Sequence, residues 1–388
     1  MVARKKVILL HCFPVPYRNH LFDAIAKECL INNIEFEVHF FSDFDLSRPK
    51  WRIESNELNF KNYFWRPVFK YGAVMHLNID LLFYLWRNKP DLIILGGVWS
   101  SLNTILLVMF SKIPLVAWDE TNRFDFGNVK KKFYCLKRYL IKKLKYFAIP
   151  GLESMYFYKE ILDEKQFRMK KFIYLPNLVN EELFNPSSIS NIELVELKKN
   201  FRISLEKKVA FWPARFIPHK GIINFIKYLD EEILSDWIIV ILGNGPLLDE
   251  SINFIKEKKL ESYFLIHDLL PYEEAIKFYF LSDLLIMPSI SDSNPLSVIE
   301  AIHASLPILV SNRIGNYNEV LIDRKNGVSV DPFDRLSMYK GIDFIFKKSK
   351  SELLEMGKIS KEIATKNYST ENAIKKFVKN LLQILTRI

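Results

Sequence analysis

Two short uncharged apolar runs, residues 284–287 (LLIM) and 308–310 (ILV), bracket a segment that opens a helix on Asn-Pro. That pattern constrains the chain most. Runs of this length read as strands buried on both faces, and two of them joined through a helix form a parallel pair in an α/β layer. The segment between them, DSNPLSVIE, places Asp292 and Glu300 eight residues apart across the helix start. Asn294 is expected as the N-cap and Pro295 as the first helical residue, which gives up an N–H that would have no partner. The backbone N–H groups of Leu296 and Ser297 then point out of the helix end, an anion site suited to phosphate. Asp292 precedes the helix and Glu300 lies more than a turn inside it, so the two carboxylates can meet different parts of one ligand. An ordinary strand-loop-helix join with a solvated Glu300 has the same local pattern, and other motifs must separate the two.

With 388 residues the chain exceeds one usual hydrophobic core, and two domains are expected. Its net charge of +10 is uneven: residues 1–180 hold 28 Lys and Arg against 17 Asp and Glu, and the remainder 27 against 28. The first half is therefore expected to meet something anionic. No helix-turn-helix, zinc or RNP pattern accompanies this charge, so nucleic acid is not the expected partner. Cys12, Cys29 and Cys135 are far apart and form no CxxC, which suits a reducing compartment and no structural metal. The opening MVARKKVILLHCFP has too short an apolar run for a signal peptide and reads as a first strand. Residues 92–110 carry no charge, but Gly96-Gly97, Ser100-Ser101, Asn103 and Thr104 suit a strand, a turn and a helix better than a membrane span.

In chain order, strands are expected at residues 5–10 and 34–41, with a helix over 19–30 between them. The connector FPVPYRNH carries Tyr17 and Arg18 where open α/β sheets bind ligands. Residues 42–66 are irregular and aromatic (Trp51, Phe60, Tyr63, Phe64, Trp65), a lid or, more in keeping with aromatics generally, packing. Strands at 92–95 and 115–118 end in the polar turns GGVWSS and DETN, the second holding Asp119 and Glu120. Residues 128–147 have eight Lys or Arg and no acid, with Phe133, Leu136, Leu140 and Leu144 at helical spacing. Two readings stand for this Lys130–Lys145 region: an amphipathic helix lying on anionic lipid, or a core-facing helix with a solvated basic face. Pro176, Asn177, Asn185 and Pro186 mark a linker. Strands at 209–212, 238–242, 264–267 and 284–287 then build a second α/β unit, and a last helix over 370–386 is free to return to the first.

After the strand VAFWP comes ARFIPHKG, with Arg215 and Lys220 five apart at a strand end, a clamp for a diphosphate. ILGNGPLLDE follows, a strand closed by Gly243 and Gly245. Arg–Lys, GNGP, Asp–x7–Glu and Gly–x3–Glu (Gly315, Glu319), in that order, resemble the second domain of the retaining, nucleotide-sugar-dependent glycosyltransferases of family 4 (glycosyl transferases group 1), which include many bacterial polysaccharide and glycolipid synthases. The resemblance is strong over residues 173–331 and weak in the loops of the first domain.

It implies a GT-B fold: α/β, with two Rossmann-like doubly wound domains facing across a cleft. Residues 1–177 would form the acceptor-side domain, 178–369 the nucleotide-sugar domain, and 370–388 a helix returning to the first. It also implies that Arg215 and Lys220 neutralise the donor diphosphate, work a metal does in other transferases, so that no metal or cofactor is needed beyond the UDP- or GDP-type sugar donor. Asp292 would hold hydroxyls of the transferred sugar and Glu300 those of the ribose. The turn Asn294, Pro295, Leu296 and Ser297 would offer amides to phosphate or sugar, Gly243 and Gly245 would let backbone approach the nucleotide, and the turn after Ile266 would wall the base. Transfer would be front-face with retention, to a glycan or lipid-linked acceptor, by an enzyme peripheral at the cytoplasmic face of the plasma membrane. Tyr17, Arg18, Asp119 and Glu120 are the acceptor-side candidates.

The pattern departs from the family in places. The first carboxylate is Asp where Glu is usual, the loop after the first strand lacks Gly-Gly, and an acceptor-side His is not evident. Asp43-Phe44-Asp45 has the form of a metal-binding Asp-x-Asp, taken here as coincidence. A sugar-nucleotide epimerase and a non-catalytic nucleotide-binding membrane scaffold remain the alternatives.

Overall fold

A computed structural model describes residues 4–43, 55–71, 75–97, 101–124 and 131–387, apart from the side chains of residues 16–17 and 131–133. The chain divides into two compact units, Met1–Val179 with Thr370–Ile388, and Asn180–Ser369.

Among the described residues of the first unit, seven parallel strands form one sheet. They are β1 (Lys5–His11), β2 (Ile34–Phe40), β3 (Asn62–Phe64), β6 (Leu92–Gly96), β7 (Leu115–Trp118), β8 (Tyr146–Ile149) and β9 (Lys171–Tyr174), in the order β3-β2-β1-β6-β7-β8-β9. A separate antiparallel pair, β4 (Phe69–Tyr71) and β5 (Met75–Leu77), lies between β3 and β6 in the chain. Strand interiors such as Val7–Leu10 and Leu92–Leu95 are fully buried, as the uncharged runs require of a sheet covered on both faces.

The first helix runs Pro16–Ile31, three residues earlier than expected, because Pro16 takes the first helical position after the extended Val15. Its proline ring already has a helical φ and no N–H is lost. The closing helix Thr370–Leu385 packs on this first helix, with Ile374, Phe377, Val378 and Leu381 buried.

The aromatic stretch after β2 packs where it is described. Trp65 donates its indole N–H to His39 Nδ1 at 3.1 Å, and His39 Nε2 lies 3.1 Å from the fully buried Glu37. Lys6 and Lys61 complete the charge on Glu37. Trp51 lies outside the described residues.

Residues 92–110 form β6 and the helix Leu102–Phe110. No helix of the described residues is long and apolar enough to cross a membrane.

The basic stretch is helical over Lys131–Lys143. Leu140, Ile141 and Leu144 are buried, but Leu136 is 40% exposed, which corrects the expected apolar face. The helix turns Lys137 inward instead: its ammonium lies 4.7 Å from the Phe157 ring centre and 3.1 Å from Thr121 Oγ1. Lys130 is outside the described residues.

In the second unit six parallel strands follow the order β12-β11-β10-β13-β14-β15: β10 (Lys208–Pro213), β11 (Trp237–Leu242), β12 (Phe264–His267), β13 (Leu284–Met287), β14 (Ile308–Ser311) and β15 (Gly327–Val330). Trp212, Trp237, Phe216, Phe225, Ile239 and Ile286 belong to its core. In each sheet chain order reverses beside the first strand, between β1 and β6 and between β10 and β13. An open parallel sheet binds ligands at the carboxyl ends of such a pair, where adjacent connections run to opposite faces and leave a crevice.

Candidate functional site

In the second unit a cavity of about 210 Å³ opens at that place. Pro213 and Arg215 line it from the end of β10, Leu269 and Leu270 from the turn after β12, and Tyr272 and Glu300 from two helices. The turn after Ile266 therefore borders this cavity.

Arg215 is exposed and, among the described residues, has no ion-pair partner. Its loop is set by close backbone packing. A Cβ on Gly243 would lie 2.0 Å from the Ala214 carbonyl oxygen, and one on Gly245 2.5 Å from that of Phe216. The two glycines thus admit the Arg215 loop itself. The amide of Phe216 donates to Asn244 O at 3.0 Å and that of Leu247 to Phe216 O at 2.9 Å, which ties the two loops together.

Lys220 ends a short turn, Pro218–Lys220, after which Gly221 takes φ +72°. A Cβ there would meet Pro288 O at 2.8 Å, so only glycine lets this turn close on the loop after β13. The Ile290 amide donates to His219 O at 2.8 Å. In consequence Lys220 Nζ donates to Asp292 Oδ2, and the two expected ligands of different donor groups are partners of one another. The Gly315 amide, 2.9 Å from Asp292 O, fixes the loop from the other side, and Glu319 follows on the helix Tyr317–Val320.

The helix after this loop runs Leu296–His303, one residue later than expected. Pro295, in extended conformation with ψ 116°, is the N-cap, and its ring offers no capping oxygen. The residue before a proline avoids helical angles, which leaves Asn294 outside the helix altogether. Pro295 O accepts from the Val298 amide at 3.3 Å and from Asn316 Nδ2 at 3.1 Å, while the amides of Leu296 and Ser297 belong to the first turn.

Glu300 is 8% exposed. Burial raises its pKa, opposed by hydroxyl donors from Tyr279 and Tyr272. Tyr272 Oη lies 3.0 Å from Oε1 and Tyr279 Oη 2.5 Å from Oε2. Neither tyrosine was expected from the sequence. Their seven-residue spacing, two turns of one helix, was the available signal.

In the first unit a second cavity of about 210 Å³ is lined by His11, Arg18, Gly96, Trp118, Asp119 and Glu120, at the carboxyl ends of β1, β6 and β7. Arg18 pairs with Glu120, donates to Asn177 Oδ1 at 2.6 Å, and lies 4.6 Å from the Trp118 ring centre. Asp119 accepts from Tyr158 Oη at 2.5 Å and from Thr121 Oγ1 at 2.7 Å. Arg18, Asp119 and Glu120 are thus brought together. Tyr17 is in the first helix, and its side chain lies outside the described ones. Phe44 and Asp45 of the Asp-x-Asp form are likewise outside the described residues.

His11 was not anticipated. Its Nδ1 lies 3.0 Å from Phe13 O, and a carbonyl only accepts, so Nδ1 carries the proton. Burial first, and Arg18 second, lower its pKa to about 4 and keep the imidazole neutral.

Residues 195–363 match the family described as "Glycosyl transferases group 1". The chain is 28% identical over 224 residues to the alpha-monoglucosyldiacylglycerol synthase of Acholeplasma laidlawii, covering 55% of this chain and 53% of that one. It is 30% identical over 152 residues, 38% of each chain, to the UDP-Gal:alpha-D-GlcNAc-diphosphoundecaprenol alpha-1,3-galactosyltransferase of Escherichia coli. The match thus spans about half the length of the first relative and less of the second. Among solved structures, Anabaena HepE in complex with UDP and glucose superposes with a TM-score of 0.75 at 14% identity, over 98% of this chain and 100% of that one. Sucrose-phosphate synthase from Thermosynechococcus elongatus gives 0.75 at 13% identity, over 99% and 100%. At these identities the likeness is one of fold, and the fold is GT-B.

Proposed function

We propose that this chain, whose residues 195–363 belong to the glycosyl transferases group 1 family, transfers a sugar from a nucleoside-diphosphate sugar to a glycan or lipid-linked acceptor with retention of configuration. The observation that carries this reading is the meeting of Arg215 and Glu300 on one cavity at the carboxyl end of β10. A guanidinium suits the diphosphate, a buried carboxylate suits ribose hydroxyls, and the apolar Leu269 and Leu270 suit the face of a base.

In the proposed reaction the bond from the sugar C1 to the diphosphate oxygen breaks while a bond from C1 to the acceptor oxygen forms on the same face. The acceptor proton passes to the departing phosphate oxygen. Arg215 and Lys220 stabilise the charge that develops on the leaving diphosphate, so no metal is needed. Lys220 must then exchange Asp292 for phosphate, which frees the carboxylate for a sugar hydroxyl. Backbone amides of Leu296 and Ser297 add to the same charge.

We assign the acceptor to the first-unit cavity of Arg18, Asp119 and Glu120. The exposed Leu136, Tyr139, Lys142 and Lys143 of the basic helix are assigned to an anionic membrane surface, at the cytoplasmic face. By their names, one of the two relatives makes a glucosyl lipid and the other acts on a lipid-linked sugar, which supports that choice of acceptor.

The experiment is a thermal-shift panel of UDP, GDP, ADP and CMP, with EDTA, on wild type and Arg215→Ala. One diphosphate that stabilises the wild type but not the variant is expected, since a ligand of the native state raises its stability by mass action. No shift with any of the four would overturn the donor site.

A further inference from the structure

Glu300 is held from one side by a single helix. Tyr272 and Tyr279 stand seven residues apart on Tyr272–Leu281, two turns along the same face, and each gives its hydroxyl to a different oxygen of the carboxylate. Tyr279 is almost fully buried. Its ring stands edge-on to Phe211 (centroids 5.0 Å apart, 90°) and to Phe184 (5.4 Å, 87°). Its ring is packed against those two, with its hydroxyl on Glu300 Oε2. Tyr272 is 48% exposed and lines the cavity itself.

An ionised carboxylate offers about four lone-pair sites. Two face the tyrosines, one on each oxygen, and the remaining one on each oxygen is left for a ligand. One free acceptor site on each of two adjacent oxygens suits a vicinal pair of hydroxyls such as the ribose 2′ and 3′ groups. Burial opposes the ionised form of Glu300 and the tyrosine hydroxyls favour it. Both phenols are themselves pushed up by burial and by Glu300, so they remain donors.

We propose that Tyr279 and Tyr272 are positioning residues of the donor site, which hold Glu300 in the one orientation whose free lone pairs accept a vicinal diol. The inference rests on the reading of Glu300 as the ribose-binding carboxylate. It adds that diol selectivity belongs to the tyrosine pair as well as to Glu300.

The test is calorimetric binding of UDP, GDP and their 2′-deoxy counterparts to full-length wild type, Tyr279→Phe and Tyr272→Phe, from pH 5 to pH 8. Wild type is expected to favour the ribonucleotide at least about tenfold, the effect of one hydrogen bond to a charged group. Tyr279→Phe is expected to lose most of that preference, to bind the deoxynucleotide as before, and to lose ribonucleotide affinity at a higher pH as acidity increases. A variant with unchanged preference and an unchanged pH profile overturns the inference and leaves the ribose reading intact. Equal binding of ribo- and deoxynucleotide by wild type overturns both. If Tyr279→Phe fails to fold, Tyr272→Phe at the open side of the cavity carries the same readout.

Discussion

Lys220 and Asp292 are 72 residues apart and form an ion pair in which each side chain is only about one-sixth exposed. The pair joins the turn after β10 to the loop after β13, the two segments on either side of the switch in strand order. It also keeps Lys220 from being an unpaired cation while no phosphate is present. Removing either partner should therefore affect turnover far more than folding. Lys220→Ala is expected to lower kcat by about 10²–10³-fold and stability by about 1 kcal/mol. Steady-state kinetics beside urea unfolding checks this, and a variant with wild-type kcat would remove Lys220 from the mechanism.

Gly243→Ala tests the packing beneath Arg215. The new methyl would lie 2.0 Å from Ala214 O, a backbone atom that cannot rotate away. The loop must shift, at about 1–3 kcal/mol, and Arg215 moves with it. The expected result is a lower urea midpoint together with lost stabilisation by diphosphate. Unchanged nucleotide binding would mean that the Arg215 loop is not held by this contact.

His303, the last residue of the helix that carries Glu300, is 1% exposed, and burial lowers its pKa to about 4 from 6.5. The unfolded chain then binds a proton that the folded chain refuses, so stability is full above pH 6.5 and falls as pH drops toward 4. The loss attributable to this residue approaches roughly 3 kcal/mol at pH 4. Urea unfolding of wild type and His303→Phe at pH 7.5 and pH 4.5 should show a smaller drop in the variant. Equal drops would show that His303 does not contribute to acid sensitivity.

Lys142→Gln with Lys143→Gln tests the basic helix. Both lysines are exposed, in contrast to Lys137, and about 1 kcal/mol per cation is expected at an anionic surface. Co-sedimentation with phosphatidylglycerol vesicles should fall by more than tenfold in affinity, and wild-type binding should weaken with salt. Equal sedimentation of wild type and variant would assign the helix to the core alone.

The strands β1, β6, β10, β13 and β14 were legible through their uncharged apolar runs, as burial on both faces of a parallel sheet requires. The short strands β3 (NYF) and β9 (KFIY) were not, because their polar residues leave an apolar run too short to read. Arg215, Lys220, Asp292 and Glu300 could be picked out as residues at strand ends, with the chemistry of their side chains. Tyr272 and Tyr279 were missed because their roles come through Glu300, 28 and 21 residues on, and His11 because its neutral state comes from burial in the fold.

What the sequence determined alone was therefore the α/β class and the positions from which ligand-binding side chains arise. Both depend on local burial and on residues near each other in the chain. The tertiary structure decided the pairings: Lys220 with Asp292, Glu300 with two tyrosines, Gly243 with the Ala214 carbonyl, and Arg18 with Glu120 and Asn177. These are set by which loops the parallel crossovers bring side by side, and a crossover erases sequence distance.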